Sequence, residues 1–180
     1  MSISAWNPIR WGLVLCVATI LFSFVLGASM GANENFFRND FKQTIKANAA
    51  KVYGNDKVKM DRADERAWTY VKRAHMHAAG VGPIGIVLLA PLPFLGIPAR
   101  LQGLIAVGYG LGAFFYPMSW LIAGYRIPAL GSTGAAKESI AWLAQPAVGL
   151  LILAAIVMLA LYIRWGVKGT ATPGAERQTH

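Results

Sequence analysis

Cysteine is nearly missing: Cys16 stands alone among 180 residues, which excludes an internal disulfide framework and any metal site built from several thiolates. Charge is also scarce. Charged residues make up 14% of the chain and hydrophobic residues 56%, with a mean hydropathy of +0.46. An ordinary soluble domain carries roughly a quarter charged residues, so a water-soluble enzyme is a poor fit. Acidic residues number eight against 17 Lys and Arg, a net charge of +9. In so apolar a chain that excess points to an anionic lipid surface rather than to nucleic acid. There is no phosphate-cradling glycine loop, no nucleophile triad and no ring of charges suited to an ion channel.

What the sequence does have is long apolar runs. Four of them, at about 11–31, 74–95, 101–124 and 141–163, approach or exceed the roughly 20 residues that a helix needs to cross a bilayer. The first run is longer than the core of a secretory signal and reads as a retained membrane helix. The expected fold is therefore all-α: one domain over 1–180, an integral membrane four-helix bundle with a long charged extramembrane connection between helices 1 and 2. That connection, about 32–73, holds ten of the 17 basic residues and six of the eight acids. Within it, Phe36, Phe37, Phe41 and Ile45 recur at helical spacing between Arg38, Lys42 and Lys46. They predict an amphipathic helix, lying either on lipid headgroups or on the protein's own surface. The mixed run 56–66 reads as a solvated face.

The turn at 96–100 is short and makes the second and third spans an antiparallel hairpin. The segment 125–140 contains Pro128, Gly131 and Gly134 and reads as a loop. The chain after Ile163 reads as an interfacial anchor, Arg-Trp-Gly-Val-Lys, followed by a frayed end. An even number of spans puts both termini on one side, and the flanking basic residues leave both orientations open. Arg10, Arg164 and Lys168 favour cytoplasmic termini, whereas Lys72 and Arg73 favour the reverse.

Polar side chains inside a span are costly in lipid and mark candidate sites. The antiparallel order places His75, His77, Tyr116, Ser119, Trp120, Trp142 and Gln145 in one half of the membrane, with Gln145 about 6 Å inside it at about 1.5 Å per residue. The opposite half is aliphatic. Two histidines at i and i+2 project about 200° apart, so His75 and His77 cannot share one small ion from the same helix. Each is either an interfacial residue at the helix mouth or a metal ligand. No other span residue completes a protein-only metal cage, whereas haem needs a single axial ligand and close-lying small residues. Gly80, Gly82, Gly85, Gly108, Gly110 and Gly112 are candidates for that close approach, with plain helix packing as the alternative. Tyr116, preceding Pro117, and Tyr109, on the same face and nearer mid-membrane, are candidates for the pocket wall, or for belt tyrosines.

Taken together, Trp68 through Arg73-Ala74-His75, the Ala-Arg-Leu turn at 99–101 and Phe115-Tyr116 resemble styrene oxide isomerase, a small four-span membrane enzyme. The likeness spans 68–163 and its motifs are short. It implies a homotrimer with haem b between subunits and His75 as the iron ligand, with His77 the alternative. It also implies ferric iron acting as a Lewis acid on an epoxide, and Tyr116 positioning the substrate. Gly82, Gly112 and Tyr109 then border the cofactor, and a bacterial inner (plasma) membrane is the expected location. Departures are specific: Met76 and His77 replace the family's Ser-Gly after the histidine, Val81 stands where the family has asparagine, and Gly108 where it has aspartate. The expected function is an oligomeric haem b membrane protein with isomerase-like chemistry. A non-catalytic accessory subunit of a larger membrane complex, respiratory or other, and a b-type electron carrier are the alternatives.

Overall fold

The computed structural model describes residues 3–170, with side-chain surroundings for 6–166; the expected frayed end lies outside the described residues beyond 170. A 3-10 turn, Ile3–Ile9, leads into α1 (Arg10–Ala32). Two short helices follow, α2 (Glu34–Ala47) and α3 (Ala49–Tyr53), then the long α4 (Lys57–Leu89). A 3-10 turn at Leu92–Phe94 connects to α5 (Ala99–Leu130), and the chain closes with α6 (Thr133–Glu138) and α7 (Ala141–Thr170). Among the described residues there are no strands. Four helical stretches, Trp6–Ala32, Lys57–Phe94, Ala99–Leu130 and Ala141–Gly166, are long and apolar enough to cross a membrane.

The helix ends follow from local chemistry. Asn33 caps α2 by accepting from the Phe36 amide at 3.0 Å. Asp56 caps α4 by accepting from the amides of Val58 at 2.9 Å and Lys59 at 3.2 Å, the bonds that otherwise-orphaned N-terminal amides require. Gly131 ends α5 at φ +74°, a left-handed conformation that residues with a Cβ rarely adopt.

Two boundaries differ from those expected. The helix that carries the second span starts well before residue 74: α4 runs unbroken for 33 residues, with the charged run 57–73 as its first half. The charged segment is thus mostly helix rather than open connection. Likewise 125–140 is not a loop: α5 continues to Leu130 through Pro128, and α6 follows. Proline is tolerated there because packing outweighs one lost amide bond: Ile127 and Pro128 are fully buried. The Tyr53 hydroxyl also donates to the Pro128 carbonyl at 2.7 Å. Burial pushes the Tyr53 phenol above its usual range.

The central helix is α5, which packs against α1, α4 and α7, while α1 also packs on α4. Two apolar cores result. One gathers Phe37, Phe41, Ile45, Tyr53, Trp68 and Ile127 where α2 and α3 lie on the projecting ends of α4 and α5. The other holds Ile9, Cys16, Leu89, Tyr109 and Met158 at the far end. So the amphipathic α2 lies on the protein, with Phe36 left 66% exposed. Arg38 clamps it there, donating to Asp64 and to Glu65 at 2.7 Å and to Glu34 at 3.0 Å. Burial opposes the Arg38 charge, but the bonds to Glu65, Glu34 and Asp64 outweigh that and hold its pKa above the ordinary value. The run 56–66 is therefore not wholly a solvated face, since Asp64 is buried. Outward, the long helices expose Leu21, Phe24, Val87, Leu104, Leu153 and Leu159, an apolar surface of the kind lipid covers.

Candidate functional site

The i, i+2 spacing sends the two α4 histidines to different neighbours. His75 turns to α1, where its Nδ1 lies 3.0 Å from the Ser23 carbonyl oxygen and 3.1 Å from Ser23 Oγ. A carbonyl can only accept, so Nδ1 carries the proton and donates it. Ser23 Oγ in turn donates to the His75 carbonyl at 3.2 Å. That bond sets the ring plane and leaves Nε2 as the ring nitrogen with no hydrogen-bond partner among the described residues. Gly27 makes room for the ring: a Cβ there would stand 2.7 Å from His75 Cε1.

His77 turns the other way, to α5. Its ring lies 4.9 Å from that of Tyr116 and 5.3 Å from that of Trp120. Tyr116, Ser119 and Trp120 then line a cavity of about 230 Å³, with Ala144, Gln145 and Val148 of α7 opposite. Ser119 is buried and donates to the Tyr116 carbonyl at 2.6 Å, one turn back. Two cations flank Trp120: Lys137, which lines the cavity, has its ammonium 5.7 Å from the ring centre, and the Arg73 guanidinium lies 5.3 Å from it. Trp142, grouped with these residues by depth, is 73% exposed.

The polar half of the bundle is thus divided into two places. His75 sits with Ser23 between α1 and α4, whereas His77, Tyr116, Ser119, Trp120 and Gln145 gather at the α4–α5–α7 side. Gly82 and Gly112, expected to border a cofactor, instead let helices touch. A Cβ on Gly82 would meet Ile20 Cγ1 at 2.8 Å, and one on Gly112 would meet the Ala147 carbonyl oxygen at 2.7 Å. Tyr109 is buried beside Cys16 and Gly85, and its hydroxyl donates to the Val81 carbonyl at 3.1 Å. These three hold the bundle rather than wall a pocket, because a neighbouring helix already occupies the face each would offer.

Sequence reasoning missed Ser23, Arg73 and Lys137. Nothing in the apolar run, which also holds Thr19 and Ser29, singles out the first. The other two come to one ring, Trp120, only because α6 folds back on α5. Among the described residues no three His, Cys, Asp or Glu side chains converge on a common metal position. No family model, curated protein or solved structure matches this chain.

Proposed function

We propose that the chain is an integral membrane protein that binds haem b through His75 Nε2 and carries out isomerase-like chemistry on an epoxide. The single observation supporting this is the Ser23 carbonyl bond to His75 Nδ1. A second partner on the far nitrogen is the arrangement that metal-ligating histidines use to fix the ring and direct the lone pair. Bound ferric haem would supply a Lewis-acidic iron.

The chain's own residues do the rest. Ser23 holds the Nδ1 proton and the ring plane, and Gly27 keeps space beside it. Tyr116, packed by His77 and Trp120, presents a phenol at a mostly apolar cavity, where a bound apolar substrate would displace water and so favour rearrangement over hydrolysis. In one chain His75 and Tyr116 face different neighbours, so a site containing both is closed by another copy. That is the reason for keeping the homotrimer in the proposal.

The test is an absorption spectrum of protein purified after expression with haem available. A Soret band is expected, lost in His75→Ala, weakened in Ser23→Ala and retained in His77→Ala. Turnover of an aryl epoxide to an aldehyde, abolished in Tyr116→Phe, tests the chemistry. Colourless wild-type protein overturns the haem assignment and leaves the accessory-subunit reading.

A further inference from the structure

We infer that the cavity beside Trp120 is a binding site for an anionic phospholipid, its phosphate held by Arg73 and Lys137 and part of one acyl chain seated between α5 and α7. The first ground is charge. Arg73 on α4 and Lys137 on α6 both stand within 6 Å of one indole ring. The acids nearest in sequence serve elsewhere or stay free, and among the described residues neither cation has a carboxylate within 4.0 Å; the ion pairs present are those of Arg38 and Lys59. With no protein carboxylate pairing either charge, both remain open to an anion at the headgroup level.

The second ground is the shape and chemistry beneath them. The cavity of about 230 Å³ is floored by Ala123, Ile140, Ala144 and Val148, with no acidic side chain in its lining. That is too greasy for a free anion and too small for a whole lipid, but suited to a stretch of acyl chain. Tyr70 and Trp120, whose rings are 4.9 Å apart, form the wall between charge and grease, the position amphipathic aromatics take at headgroup level. Anion above and hydrocarbon below define an amphiphile.

The inference does not rest on haem, but it places lipid in the Tyr116 cavity that the proposed function gives to the epoxide, so the two would compete there. A Soret band reports on His75, and retained lipid reports on Arg73 and Lys137, so the haem and lipid readings fail separately.

Full-length protein reconstituted in phosphatidylcholine vesicles doped with phosphatidylglycerol, then extracted in mild detergent, is analysed for retained lipid by native mass spectrometry. Phosphatidylglycerol is expected to be retained in preference to phosphatidylcholine. Each of Arg73→Gln and Lys137→Gln, at exposed side chains that leave folding intact, is expected to lower that preference about five-fold. Ala144→Phe, which fills the cavity, is expected to reduce retention of both lipids, with helical circular dichroism checking its fold. Equal retention of the two lipids, or an unchanged preference in the double glutamine variant, overturns the site. Full displacement of the lipid by millimolar inorganic phosphate also overturns it, because the ligand is then a soluble anion.

Discussion

At Gly112, α5 and α7 come close enough that an added Cβ would lie 2.7 Å from the Ala147 carbonyl oxygen and 2.8 Å from the Leu151 amide nitrogen. Both are backbone atoms and cannot rotate aside. Gly112→Ala is expected to destabilise the bundle by about 1–3 kcal/mol, the usual range for overpacking. Gly80→Ala, with nothing within 4 Å of its Cβ position, is expected to raise stability slightly through helix propensity. Thermal unfolding in detergent compares the two. The pattern Gly108-Tyr-Gly-Leu-Gly112 announced close packing in the sequence, yet not which glycine would be packed, because that depends on where α7 crosses. The divergence of His75 and His77 was legible because it needs only the helical turn angle. Ser23 was not, since its role depends on α1 lying 52 residues upstream against α4.

Among elements, α2 shows what periodicity can and cannot tell. The spacing of Phe37, Phe41 and Ile45 marked an apolar helix face, but lipid headgroups and protein offer such a face the same chemistry. The projecting ends of α4 and α5 decide it, supplying Trp68 and Tyr125 as partners: the Phe41 ring lies 5.2 Å from that of Tyr125 and the Phe37 ring 5.8 Å from that of Trp68. Phe41 is fully buried, so Phe41→Ala is expected to cost about 3–5 kcal/mol and to speed limited tryptic cleavage after Lys42 and Lys46. Phe36→Ala, at an exposed ring, is expected to leave the cleavage rate near wild type. The misread segment 125–140 has the same origin. Pro128 and Gly131 are both breakers in isolation, but burial of Ile127 and Pro128 carried the helix past the proline, and the left-handed glycine alone stopped it.

For the molecule as a whole, the four long helices and the small turn at 96–100 were plain in the sequence, because crossing a bilayer demands length and apolarity that few other roles require. Their arrangement around α5 was not, since apolar runs look alike from every side. If all four cross, α3 and α6 lie on one side of the bilayer and the turn preceding α5 on the other. Single thiols at Lys51→Cys and Ser132→Cys in a Cys16→Ser background are expected to react with an impermeant maleimide added to one side of sealed vesicles. Arg100→Cys is expected to react from the opposite side. Labelling of all three from the same side would remove the four-span topology.

The continuity of α4 has a mechanical meaning. Asp64, gripped by Arg38, and His75, gripped by Ser23, belong to one rod without a break between them, about 16 Å apart at the usual helical rise. Any load applied to α2 through Arg38 is therefore borne by the same helix that carries the imidazole, so the charged end and the interior share one lever.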